Sequence, residues 1–308
     1  MTVNGAMEAG KLGFTLTHEH VVVDFAGAEN DGKSRYNKEE VFDLALPFVR
    51  EIKTGGVATF IDCTPAYLGR DVTILKRLAN ATGMNIVTST GYYGAAKEKF
   101  VPRHAYAESA QQLANRWISE WKQGIDGSGI KPGLIKTGTD KGPLTPMQQK
   151  LVQAAGITHL ATGLTIAVHT GDGAAAFEQL DILKALGVSP AARIWVHAQN
   201  EPNKEMHVKA ARLHSWISFD GVNPDTLGVN LDLLKNMKEN GLLHQVLVSQ
   251  DSGWYHVGEP GGGNFKPYTC ITGQFIPLLQ QNGFTAVELN RIFRINPAKA
   301  FTIKARKY

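Results

Sequence analysis

Eight short runs rich in β-branched and apolar residues recur along the 308-residue chain, at 15–23, 57–64, 85–93, 133–139, 164–170, 193–197, 216–219 and 246–250. Seven intervals separate Thr15 from Val246, so a new run begins about every 33 residues. That is the length of one strand–helix unit. The stretches between the runs have helical grammar. "NKEEVFDLALPFVREIKTGG" opens on Asn37 as an N-cap, repeats apolar residues at helical intervals and stops at a Gly pair. "TPMQQKLVQAAGITHLATG" sets Thr145 before Pro146 at the first helical position and ends on Gly163, and "NPDTLGVNLDLLKNMKENG" repeats the pattern.

Eight strands alternating with helices, with no Pro/Gly/Ser linker and no break in composition, predict the α/β class and a (β/α)8 TIM barrel. Residues 1–308 are expected to form a single domain. An open doubly wound sheet is the competing architecture. It would need a phosphate-binding Gly fingerprint after the first strand, and none is present. The units share no self-similarity, which argues against a solenoid.

Composition narrows the partners. The 32 basic and 28 acidic residues are interspersed and the net charge is only +4, so no nucleic-acid arm or polybasic membrane patch is expected. Cys63 and Cys270 make no disulfide framework, which suggests a reducing compartment, and no run approaches the roughly 18 apolar residues of a membrane span. Met1 leads into "TVNGAMEAG" without a charged n-region, so the expected location is cytoplasmic, although a removed signal peptide would leave no trace.

In a barrel of this kind chemistry sits at the carboxyl ends of the strands. Strand one carries "THEH", where His18 and His20 point the same way because side chains alternate with period two. "GLIKTGTD" brings Lys136, "TIAVHT" His169, "RIWVHAQN" His197 and "VLVSQDSGW" Asp251. Taken singly, a strand histidine is a hydrogen-bonded core residue, a strand-end lysine a snorkelling group and an aspartate after a strand a turn residue. Together they are six ionisable groups desolvated at one end of a barrel, and a metal explains them jointly. Four histidines and an aspartate exceed one tetrahedral zinc with an open position and suit two ions with a bridge. Lys136 is the odd member, because an ammonium repels cations. A neutral amine that captures CO2 becomes an anionic carbamate with one oxygen for each metal, so a carbamate on Lys136 is expected.

With these residues in place the chain resembles the phosphotriesterase family of the amidohydrolase superfamily. The likeness runs from "LGFTLTHEH" through "IKTGTD", "AVHTGDG" and "WVHAQN" to "SQDSGWY" and the final "NPAKAF". It implies two divalent metal ions, usually Zn2+, with Mn2+, Co2+ or Fe2+ as alternatives. Residues matching His18, His20 and Asp251 hold the more buried ion, those matching His169 and His197 the more exposed one, and carboxylated Lys136 bridges them. It further implies that a metal-bridging hydroxide attacks a small-molecule lactone or carboxylic ester, with promiscuous organophosphate triester hydrolysis, and that Asp251 takes the hydroxide proton. Tyr93, Trp254 and Tyr255 are expected in the substrate wall, His256 as a relay, and "GEPGGGNFKPY" as a lid or a loop packed on the rim. Homodimers are common among such relatives.

Two departures bear on the substrate. Gly221 stands in "SFDGVNP" where lactonase relatives carry an Arg, and "HAQNEPNKE" replaces the "GHLGD" type of segment, which weakens the inference of homoserine-lactone specificity. The competing functions are a phosphotriesterase proper, a non-catalytic ligand-binding barrel of the same family, and an amidase or deaminase with a single ion.

Overall fold

A computed structural model describes residues 1–30 and 35–308. Its strands are β1 (Thr15–Val23), β2 (Thr59–Asp62), β3 (Asn85–Val87), β4 (Ser89–Thr90), β5 (Leu134–Thr139), β6 (Thr165–Thr170), β7 (Arg193–Val196), β8 (Trp216–Phe219), β9 (Val246–Val248) and β10 (Gly253–His256). The helices between them include α1 (Lys38–Thr54), α2 (Val72–Thr82), α3 (His104–Ala107), α4 (Ala110–Gln123), α5 (Pro146–Thr162), α6 (Gly173–Ala185), α7 (Lys204–Arg212) and α8 (Leu227–Glu239). Every ladder between these strands is parallel, in the order β10-β1-β2-β3 and β4-β5-β6-β7-β8-β9.

The ten segments fill eight strand positions. β3 and β4 are one strand interrupted at Thr88, whose carbonyl still accepts from Gly133 N–H at 2.8 Å. β9 and β10 share the last position. The turn between them closes the ring on β1, with Asp251 N–H donating to His18 O at 3.1 Å and His20 N–H to Ser252 O at 3.0 Å. Side chains from around the ring then meet inside it: Ile61, Val87, Leu134, Ala167, Ile194 and Leu247 belong to one buried cluster. Each of the larger side chains in it contributes roughly 1.5–3 kcal/mol by leaving water. The fold is the (β/α)8 barrel that the spacing of the runs predicts.

The helix ends follow the sequence signals. The Asn37 side chain accepts from Glu39 N–H and starts α1, whose inner face is Val41, Ala45, Val49 and Ile52. Thr145 and Gln148 form a reciprocal capping box at α5, and Gly163 ends it at φ +77°. α8 starts later than its pattern suggests, because Asn223 spends its side chain and carbonyl on a turn with Asp225 and Thr226.

Two glycines set how closely the site-bearing strands approach. A Cβ on Gly91 (φ +115°) would stand 2.0 Å from Lys136 O, and one on Gly253 (φ +94°) 1.9 Å from His20 O. Only glycine permits either approach.

Candidate active site

Period two along β1 turns His18 and His20 to one side and Glu19 to the other. Around them β5 brings Lys136, β6 His169, the end of β7 His197 and the turn after β9 Asp251. All six line one cavity of about 360 Å³ at the carboxyl ends of the strands. His18 Nε2 lies 3.2 Å from His20 Nε2, 3.3 Å from Lys136 Nζ and 3.8 Å from Asp251 Oδ1, and His20 Nε2 lies 3.1 Å from the same Asp251 oxygen. The His169 and His197 rings meet edge to face at 4.5 Å, and the His197 ring is 5.0 Å from that of His18. One ligand atom each from His18, His197 and Asp251 falls within 4.8 Å of the others.

Groups outside the sequence expectations set the state of these imidazoles. Asp220, fully buried after β8, receives His18 Nδ1 at 3.1 Å and His197 Nδ1 at 2.7 Å. Thr64 donates its hydroxyl to Val22 O, and its oxygen therefore accepts the hydrogen bond from His20 Nδ1–H at 2.7 Å. The three Nδ1 atoms are therefore donors and the three Nε2 atoms present lone pairs to the cavity. Asp220 was open to discovery by the criterion that finds Asp251, since it also follows a barrel strand.

Such lone pairs at these separations repel one another. Asp251 Oδ1 is buried with no hydrogen-bond partner, because the nearest nitrogen, His20 Nε2, is itself an acceptor. Lys136 is buried as well, and its hydrogen-bond contact among the described residues is His18 Nε2. Acceptors that converge with Lys136 Nζ as their one nearby donor among the described residues fit divalent cations. Burial, then Lys136, pushes the His18 imidazole down to about 4, and burial, then His197, carries His169 well below the ordinary histidine range, whereas at His197 burial is outweighed by Asp220, which raises the imidazole. Burial alone would raise Asp251, and positive charge at His18 and His20 outweighs it and holds the carboxyl below its ordinary value, so the carboxylate form goes with a cationic cluster. Neutral imidazoles beside an ionised carboxylate are the forms a cation binds.

His197, Asp251 and Trp254 all adopt positive φ, at 61°, 49° and 75°. Left-handed backbone at non-glycine residues is retained where the surroundings demand a particular side-chain direction. Tyr93 and Trp254 line the cavity as expected, Tyr93 with its ring 5.1 Å from His169 and Trp254 5.4 Å from His20. Tyr255 does not. Alternation along β10 turns it away from the cavity toward α1, where its hydroxyl donates to Glu40 at 2.9 Å. His256 packs on Phe25 and Trp254 and stands 3.7 Å from Glu259. The 258–268 segment is a rim loop rather than a lid: Phe265 and Tyr268 are buried, and Lys266 pairs with Gly253 through two backbone hydrogen bonds.

The two departures noted in the sequence touch each other. A Cβ on Gly221 would lie 2.6 Å from Gln199 Nε2, and Gln199 exchanges hydrogen bonds with Asp220 at 3.2 Å in both directions. Gln199 of the altered "HAQN" segment thus occupies the room that Gly221 leaves.

The family model of the phosphotriesterase family matches residues 1–301. The chain is 31% identical over 299 residues to a phosphotriesterase homology protein of Escherichia coli, covering 96% of this chain and all of that one. It is 29% identical over 309 residues to an aryldialkylphosphatase of Saccharolobus solfataricus, with 96% and 97% covered. The solved structure of a mutant Deinococcus radiodurans PTE-like lactonase superposes with a TM-score of 0.87 at 28% identity, over 98% of this chain and 99% of that one. By sequence along almost its whole length and by the shape of its barrel, the chain belongs to the phosphotriesterase family.

Proposed function

We propose that the chain is a metal-dependent hydrolase of one domain that opens a lactone or carboxylic ester and accepts organophosphate triesters as a second, promiscuous class. The observation that carries the reading is the approach of His18 Nε2, His20 Nε2 and Asp251 Oδ1 to within 3.1–3.8 Å with every proton assigned elsewhere. His18, His20 and Asp251 would hold one divalent cation, His169 and His197 a second, and Lys136, as a carbamate, both. Nitrogen-rich ligation of this kind suits Zn2+. When bound, the two cations polarise the substrate's carbonyl or phosphoryl oxygen and lower the pKa of a shared water toward neutrality.

Asp251 remains ionised among its imidazoles and accepts the proton that the attacking water gives up. Asp220 and Thr64 keep protons off the three Nε2 atoms. Tyr93 and Trp254 wall the cavity and orient the substrate against the cluster. The aryldialkylphosphatase and lactonase relatives support both substrate classes.

The test is metal analysis together with a hydrolysis screen over lactones, aryl esters and paraoxon-like triesters, using zinc, manganese and cobalt protein. The expected result is about two metals per chain and turnover of lactones or esters that Asp251→Asn lowers by at least about 100-fold. No turnover in any class, or turnover indifferent to Asp251→Asn, refutes the proposal.

A further inference from the structure

Beyond the six clustered groups the cavity wall is almost wholly apolar, and among the described residues its one further cationic side chain is Lys99. Two ladders of aromatic contacts lead outward to it. From His169 the steps are Tyr93 at 5.1 Å, Phe100 at 5.8 Å and the Lys99 ammonium, 5.8 Å from the Phe100 ring centre. From His20 they are Trp254 at 5.4 Å, Phe25 at 5.7 Å and again Phe100 at 6.2 Å. The lysine therefore stands at the outer end of an aromatic sleeve whose inner end is the ligand cluster.

Its position is built. Ala96, Lys97 and Glu98 are three consecutive non-glycine residues with φ of 55°, 54° and 64°, a strained run for L-residues. Asp140 holds this run by accepting from Ala96 N–H at 2.9 Å and Lys97 N–H at 3.1 Å, and is itself braced by Gln148 Nε2 at 3.0 Å. Next, Lys99 O accepts from Ala28 N–H at 3.0 Å, and the lysine stem lies across Gly27. A Cβ at Gly27 would come within 3.2 Å of Lys99 Cγ and 3.4 Å of its Cε. Strain retained in a loop that aims one side chain points to function. Among the described residues no carboxylate pairs with the Lys99 ammonium within 4 Å.

We infer that Lys99 is a specificity-determining residue, and that the substrate carries an anionic substituent, a carboxylate, sulfonate or phosphate, at the end remote from the bond that is cut. An apolar body fills the sleeve, the scissile group lies at the cluster, and the anion meets the exposed Lys99 ammonium at the rim. The inference rests on the hydrolase reading above, and it names the substrate class of that same site.

The test separates the two. Calorimetric titration of the metal-loaded protein with naphthalene-1-sulfonate and with the neutral 1-naphthyl methyl sulfone measures anion preference without turnover. Cations in the cluster would themselves attract the sulfonate, so the decisive quantity is how substitution of Lys99 changes the preference. Lys99→Gln should lower sulfonate affinity about threefold, and Lys99→Glu further, with sulfone affinity unchanged. A kinetic arm compares 4-nitrophenyl butyrate with 4-nitrophenyl hemiglutarate: Lys99→Glu should raise KM for the hemiglutarate alone. Lys99-dependent sulfonate binding without turnover of either ester leaves the anion subsite standing and removes the hydrolase. Sulfonate binding that is absent, or unchanged in Lys99→Glu, overturns the subsite whatever the esters show.

Discussion

Asp220 offers the sharpest single perturbation of the site, because it orients two candidate ligands, His18 and His197, without facing the cavity. One of its oxygens accepts His197 Nδ1 at 2.7 Å and Gln199 Nε2 at 3.2 Å, and the other accepts His18 Nδ1 at 3.1 Å and the Ser218 hydroxyl at 2.8 Å. In Asp220→Asn one oxygen becomes an amide donor. Whichever way the amide turns, one imidazole then faces a donor and must move its proton to Nε2, the atom that would bind a cation. Loss of a carboxylate behind a ligating histidine typically costs 10–100-fold in metal affinity, or about 1.4–2.7 kcal/mol. Backbone geometry should survive, since Asn matches Asp in shape and His197 N–H keeps an acceptor oxygen. The assay is competition for zinc against a chelator, read beside the visible spectrum of the cobalt-loaded protein. Wild-type affinity and an unchanged cobalt spectrum in Asp220→Asn would show that the imidazoles do not need this carboxylate, and the tautomer argument would fail with them.

Four further outcomes follow from the same geometry. Protein grown with 13C-bicarbonate should show a carbamate carbon signal that Lys136→Arg abolishes; its absence from metal-loaded wild type would leave Lys136 as a buried amine. Gly253→Ala places a methyl group 1.9 Å from His20 O and 2.3 Å from Tyr268 Oη, so urea unfolding should reveal a loss of at least about 3 kcal/mol, and a loss under 1 kcal/mol would contradict the close approach. At α2, burial would raise Asp71, but hydrogen bonds from Lys38, Thr73 and Tyr36 outweigh it and hold the carboxyl below its usual range; a depressed acid stabilises above its unfolded value of about 3.9 and loses that contribution as pH falls through the folded value. Asp71→Asn should accordingly destabilise at pH 7, with the difference from wild type shrinking as pH falls below about 3.9 and through the lower folded value, as thermal melts across that window would report. Tyr255→Phe should cost about 1 kcal/mol through the lost Glu40 hydrogen bond and leave KM untouched, whereas Trp254→Ala should raise KM; a KM effect of equal size in both would return Tyr255 to the substrate wall.

The strand ends were legible because barrel geometry turns a sequence rule into a spatial one. Once the runs are seen as strands of a single ring, His18, His20, Lys136, His169, His197 and Asp251 must share its mouth. Tyr255 went astray because β10 begins only at Gly253, after a turn at Asp251 that no periodicity registers, so the inward register of Trp254 and the outward one of Tyr255 are fixed by backbone alone. Glu19 shows the deeper limit. It sits between two candidate ligands, faces away from them, and its buried carboxylate accepts Ser249 Oγ at 2.7 Å, Ser252 N–H at 2.8 Å and Gln250 N–H at 3.2 Å, encircling the turn that presents Asp251. Its contacts are mostly with backbone, about 230 positions away along the chain. Residue types record which atoms can bind a cation, whereas the carboxylates that orient those atoms are specified by register and turn geometry. Sequence therefore reveals the ligands before it reveals what holds them.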